Sequence, residues 1–296
     1  MLRSQMTRLV QKSVGVFACA FVSLTLSVGC SAPLSTGANS QTTVKYRAAS
    51  KDAVAAATDT SVAAATGDVA VSEGGVGTLK GRVEFVGDFA PLAPLFVKGG
   101  AAKDPSVCGA EAIPNESILV KDGGLSNVFI YLDKIPKGAV VPPAGDPVLF
   151  DQKVCIFTPH AMVMRVRQAV KVLNADGAAH NTHTYPKKNS AFNSVVQPND
   201  RGGVDLVYGQ AEKEPFQVGC DIHSWMTAYH LPLDHPFAAV SAADGTFEIK
   251  DLPAGKHEFK VWHEAGKMVE KALVVEIKPG DNNEVSIKVP ASKLGK

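Results

Sequence analysis

Two short stretches concentrate side chains that could bind a metal ion. The first, CDIHSWM, runs from Cys220 to Met226 and sets a thiol, an imidazole and a thioether at intervals of three. A chain of 296 residues with only five cysteines and six methionines places all three donors in this one segment. The second, NADGAAHN, ends a β-branched run at Asn174, turns through Asp176 and Gly177, and supplies His180. Cys and Met are also ordinary core residues, so packing is the competing explanation. A metal site has a further requirement, because its ligands must be held in place by the backbone before the ion arrives.

The elements that would do this are strands. From Thr78 onward the dominant signal is alternation or β-branching with period two: LKGRVEFVG, NVFIYL, AMVMRV, AVKVLN, TFEIK, EFKVW and EVSIKV. Gly, Pro, Asn or Asp separates these runs, and no stretch of a dozen residues carries a capped helical stripe. Many short strands with turns between them predict an all-β protein, a sandwich or a barrel. Cys220 would close the strand PFQVGC. His223 and Met226 would come from the loop after it, and His180 from the end of a distant strand.

This pairing of NADGAAHN with a later CDIHSWM resembles the cupredoxins, the small blue-copper electron carriers. The resemblance covers residues 148–237 and implies a Greek-key β-sandwich with one type 1 copper ion. Residue by residue it implies His180, Cys220, His223 and Met226 as the copper ligands, with Asn181 tying the two ligand loops together. The short gap before Met226 resembles amicyanin more than plastocyanin. The donor chemistry agrees: a thiolate and two imidazoles with a weak thioether form a trigonal copper set. Zinc has little use for Met and usually takes four strong ligands. The implied activity is transfer of single electrons to and from redox partner proteins through an exposed ring edge of His223. The alternative is a copper-binding or delivery protein, or a structural β-module without redox traffic.

The other histidines are weighed separately. His183, three after His180, competes as a ligand, but the Asn181 match favours His180. His160 reads as hydrogen-bonded, His230 and His235 as facing solvent or capping turns, and His263 as structural, with a conceivable contact to Glu264. Trp225, inside the ligand loop, reads as a shield for the metal, with an apolar docking surface as the alternative.

VSAADGTFEIKDLPAGKHEFKVWHE resembles a carboxypeptidase regulatory-like, or transthyretin-like, β-module over residues 238–290. In it Asp244-Gly245 and Pro253-Ala254-Gly255 would reverse adjacent strands. GTLKGRVEFVG, in the β region 78–147, resembles that module's first strand. The copper segment would then be inserted within the module, with a simple succession of domains as the alternative.

The N-terminus reads as an export signal over residues 1–29. Arg3, Arg8 and Lys12 precede the apolar run from Val14 to Val28, too short and poorly flanked to be a spanning helix. LSVGC resembles the lipobox of bacterial lipoproteins, which implies lipidation of Cys30 and a membrane anchor; Ser27 departs from the usual Leu. Residues 30–77, rich in Ala, Ser and Thr, read as a flexible tether. The expected location is therefore the periplasm or cell envelope. Formal charge is +1, and loss of the three basic residues makes it −2, with no basic stripe to attract nucleic acid. Export leaves Cys108, Cys155 and Cys220, an odd number where disulfides form. The expected arrangement is a Cys108–Cys155 bridge with Cys220 free, although the count alone does not establish it. The chain has neither His-x-His pairs nor a Gly-x-Ser-x-Gly elbow, so an enzyme is not expected.

Overall fold

In the computed structural model, residues 74–295 are described, and their regular structure is almost all β-strand. The export signal, Cys30 and nearly all of the expected tether lie outside the described residues. The first strand, Val76–Val86, begins slightly ahead of Thr78. Among the described residues no helix is long and apolar enough to cross a membrane.

Residues 148–233 build two sheets. One orders Val204–Val207, Ala169–Asn174, Val148–Lys153 and Ile156–Thr158. The other orders Asn193–Val196, His180–Thr184, Phe216–Gly219, Thr227–Leu233 and Ala161–Arg165. Each sheet contains one parallel pair, Val148–Lys153 with Ala169–Asn174 and Thr227–Leu233 with Ala161–Arg165. Their inward side chains, among them Phe150, Phe157, Val172 and Val218, form one core that also takes in Cys220 and Met226. Period two places alternate residues of strands such as Ala161–Arg165, Ala169–Asn174 and Phe216–Gly219 in that core.

The strands before and after this segment meet in a second pair of sheets. Val76–Val86 lies antiparallel to Thr246–Pro253 and parallel to Gly280–Pro290. Phe129–Leu132 lies between Ala238–Val240 and Gly255–His263, which in turn pairs with Lys267–Ile277. A core that includes Leu79, Ile130, Phe247, Phe259 and Val289 fills the space between these sheets. A third cluster, Phe129, Tyr131 and Trp262 against Tyr229, Leu231 and Leu233, joins the two sandwiches.

Two expectations about turns are corrected. Asp244-Gly245 does form a tight turn, with Gly245 N–H bonded to Ala242 O at 2.9 Å and Ala242 N–H to Thr246 O at 2.8 Å. Yet Ala238–Val240 and Thr246–Pro253 belong to different sheets, so the turn is a corner between layers rather than a hairpin. Gly245 has φ +83°, and an added Cβ would collide with Val83 O, which explains the glycine. The Pro253–Gly255 turn also crosses between sheets. The hairpin in this region is the one from His263 to Lys267.

Candidate metal centre

The geometry of the site starts at a strand pair. Gly219 lies opposite His183 in the antiparallel pairing of Phe216–Gly219 with His180–Thr184. The chain leaving that strand at Cys220 therefore runs toward His180, at the start of its neighbour. The turn before His180 is built by the buried Asn174, whose Nδ2 donates to Ala178 O, Val196 O and Gln197 O and whose Oδ1 accepts from Asp176 N–H. The turn aims the Asp176 carboxylate inward, where Oδ2 accepts from His180 Nε2 at 2.9 Å and from Cys155 N–H at 2.8 Å.

The CDIHSWM loop folds back on itself. His223 N–H points at Cys220 Sγ at 3.3 Å, Met226 N–H at His223 O at 2.9 Å, and Cys220 N–H at Met226 O at 3.3 Å. Asn181 fastens this loop to the neighbouring strand. Its Oδ1 accepts from Asp221 N–H at 2.7 Å, Ile222 N–H at 3.3 Å and the Cys220 thiol at 3.3 Å, while Nδ2 donates to Asp221 Oδ2 and Asn193 Oδ1.

One donor atom from each of His180, Cys220 and His223 falls within 4.8 Å of the other two, and all three residues are buried. The Nδ1 atoms of His180 and His223 face each other at 2.9 Å, and Cys220 Sγ lies 4.0 Å from His223 Nδ1. Each Nε2 is turned to a carboxylate oxygen, His180 to Asp176 and His223 to Asp104 at 2.8 Å. A carboxylate accepts, so each Nε2 donates and the inner nitrogens present lone pairs. Two lone pairs and a sulfur in this space call for a proton or a metal cation between them, and the donor set fits copper. Met226 is buried in the same core as Cys220.

The electrostatics agree with a proton held there when metal is absent. Burial alone would push His180 down, but its bonds to Asp176 and Cys220 carry it up to about 9. Burial would raise Cys220, and its contacts with His180 and with backbone N–H groups lower it instead. His223 is lowered by burial, against the pull of Asp104. A metal ion bound among these donors would displace the proton they share.

Cys108 and Cys155 form a disulfide with Cα atoms 5.2 Å apart, and Cys220 is free. Cys155, Asp176 and His180 also cluster, but the sulfur of Cys155 is spent in that bond.

Several expectations change. The ring edge of His223 is not exposed: its side chain is 0% accessible, closed over by Asp104, with Trp225 edge-on at 5.1 Å between ring centroids. Trp225 in turn packs edge-on against Phe96 and donates Nε1–H to Cys155 O. His230 and His235 are fully buried rather than solvent-facing; His230 faces the Tyr208 hydroxyl at 2.9 Å, and His235 does cap a turn, at Phe237 N–H. Glu264 pairs with His160, not His263. His183 points to Asp221, away from the other donors. Asp104 and Asp176 had no assigned role in the sequence. Asp176, four residues before His180, was visible as a possible partner, whereas Asp104 lies 119 residues from His223 and left no local signal.

No protein-family model and no curated protein matches the chain. Solved structures do, among them copper proteins. A copper-containing nitrite reductase from Thermus scotoductus matches 34% of this chain at 14% identity, with a TM-score of 0.27. The match spans only 24% of that enzyme's length. A reduced amicyanin variant matches 32% of this chain and 97% of its own, at 13% identity and a TM-score of 0.26. A purple cupredoxin from Nitrosopumilus maritimus matches 29% of this chain and 99% of its own, at 15% identity and a TM-score of 0.25. None of these three lends support to the carboxypeptidase regulatory-like resemblance.

Proposed function

We propose that this chain is a type 1 copper protein that carries single electrons between redox partners. His180, Cys220 and His223 would hold the copper, with Met226 as a weak further donor. One observation carries the reading: the inner nitrogens of two histidines and an unpaired thiol, from two separate strand ends, converge in a buried space. Copper held there would supply a one-electron couple. The protein's part is to keep the donors in one arrangement for both oxidation states. Asn181 does this for the sulfur, Asp176 for His180, and the loop's own backbone bonds do it for Cys220, His223 and Met226.

With the edge of His223 covered, the electron route is assigned to Trp225. Its indole touches His223 and lines a cavity of about 330 Å³ together with Ser224, Thr227 and Tyr229. The sandwich around Phe259 is assigned a scaffold role of the carboxypeptidase regulatory-like kind. Export and a lipid anchor on Cys30 complete the reading, supported by the disulfide, which suits an oxidising compartment. Labelling with a fatty acid that is lost in Cys30→Ala tests the anchor.

The deciding experiment is an optical and paramagnetic resonance spectrum of the copper-loaded protein. The wild type should show an intense thiolate-to-copper band, and Cys220→Ser should abolish it. Met226→Leu should keep the colour and shift the potential. A colourless wild type, or a band that survives Cys220→Ser, overturns the reading. A second reading, a copper-holding or delivery protein, is favoured by the burial of all three donors. Release of Cu(I) to a chelator without a stable oxidised form would select it.

A further inference from the structure

The structure holds His223 through a residue that belongs to neither ligand motif. Asp104 Oδ2 lies 2.8 Å from His223 Nε2, on the side of the ring opposite the nitrogen that faces Cys220 and His180. Asp104 adopts φ 46°, ψ 52°, a left-handed conformation uncommon outside glycine. Its carbonyl accepts from Val107 N–H at 2.9 Å and Cys108 N–H at 2.8 Å, which winds the single turn Pro105–Cys108. Cys108 is cross-linked to Cys155, and Cys155 N–H donates to the same Asp176 oxygen that accepts from His180 Nε2. The contacts thus close a ring: His223, Asp104, Cys108, Cys155, Asp176, His180 and back to His223. Each imidazole is backed by a carboxylate, and the disulfide fixes one carboxylate relative to the other.

The two carboxylates differ. Asp176 is buried, whereas the Asp104 side chain is 44% exposed and approaches from outside. Asp176 is anchored by two backbone N–H groups as well as by His180. Asp104 depends on the short turn and the disulfide behind it.

We propose that Asp104 is a positioning residue for the metal centre: clamped by the Cys108–Cys155 bridge, it fixes His223 with Nδ1 inward and covers the ring's outer edge. This rests on the copper reading above. A carboxylate behind a ligating imidazole sets its tautomer and raises its basicity, and losing such a partner typically costs about 10–100-fold in metal affinity. A more basic imidazole favours Cu(II) over Cu(I). Asp104→Asn should therefore weaken Cu(II) binding more than Cu(I) binding and raise the reduction potential. A tenfold differential loss corresponds to about 59 mV for one electron.

The test measures potential and Cu(II) affinity for wild type, Asp104→Asn and Asp104→Ala, with nitrogen NMR of the His223 ring in metal-free protein. A raised potential in both variants is expected, larger for Ala, with His223 changing from one Nε2-protonated tautomer to a mixture. The double variant Cys108→Ala/Cys155→Ala should move the potential the same way. Glu111→Gln, which removes an exposed carboxylate from the same segment, should move it much less. An unchanged potential and an unchanged His223 tautomer in Asp104→Asn and Asp104→Ala overturn the proposal, as does an equal shift in Glu111→Gln. If the wild type takes up no copper as a blue site, the copper reading fails by itself, and the metal-free NMR still decides whether Asp104 sets the ring.

Discussion

The two sandwiches are both all-β, yet they bury different things. The one that holds the candidate ligands encloses Gln152, Asn174, Asp176, His180, Asn181, Thr182, Thr184, His223 and His230. The one around Phe259 encloses mainly hydrocarbon, with Leu79, Val83, Leu125, Ile130, Leu252 and Val261 all fully buried. Polar groups out of water cost free energy unless they are hydrogen-bonded. At Asn174 and Asn181 the first sandwich meets the cost with dense local networks. One body spends stability on holding side chains in fixed orientations, and the other is built for stability alone.

The sharpest way to break this comparison is to damage the apolar body and watch the metal centre. Phe259 is fully buried between Leu132 and Leu273 on the neighbouring strands. Phe259→Ala should cost about 3–5 kcal/mol by leaving a cavity, measured by denaturant unfolding. The spectrum of copper-loaded, folded protein should not move. A changed spectrum would mean that the two bodies are mechanically coupled.

The seam between them offers a second test through pH. His160 Nε2 sits 2.5 Å from Glu264 Oε1, and Nδ1 3.5 Å from Glu116 Oε2. Burial works against the charge, but the two carboxylates prevail and lift His160 to about 9. The folded state thus holds this proton more tightly than the unfolded chain, where the imidazole titrates near 6.5. Its contribution is whole below pH 6.5 and is lost as pH rises through about 9, a change of about 3 kcal/mol. On the acid side the sign reverses. Burial depresses His230 to about 3 and His263 to about 4, so their neutral forms stabilise the fold above pH 6.5 and that contribution fades as pH falls. Unfolding free energy should therefore fall on both sides of a maximum, and His160→Gln should flatten only the alkaline limb.

What the sequence disclosed follows the same division. Strands with one face in an apolar core, such as Val76–Val86 and Ala169–Asn174, announce themselves by alternation. His180–Thr184, HNTHT, does not, because its buried residues are polar; His180, Asn181 and Thr184 find their partners on other segments. The meeting of His180 with Cys220 and His223 was legible because the latter two lie in one loop and His180 follows a recognisable turn. Asp104 was not, since only the disulfide and the path of the chain bring it to His223. The Asp244-Gly245 turn was legible as a reversal, but turn chemistry does not say which sheet receives the next strand. His230, expected to face solvent or cap a turn, is buried because Thr227–Leu233 pairs along both edges and packs on both faces.

The smallest expected change in stability inverts the comparison. Asn181 Oδ1 is the shared acceptor for two backbone N–H groups and the Cys220 thiol. Asn181→Ala leaves those donors without their partner, at a cost of about 1–3 kcal/mol, less than Phe259→Ala. Its effect on the metal should be far larger, a loss of about 10–100-fold in copper affinity with a displaced thiolate-to-copper band. Parallel unfolding and metal titrations of the two variants measure both quantities. If Asn181→Ala unfolds the protein as severely as Phe259→Ala but leaves metal affinity intact, the buried amide serves the core and not the site. The expected opposite pattern would mark it as the residue through which a strand's geometry reaches the sulfur, because it bonds to both the ligand loop's backbone and its thiol.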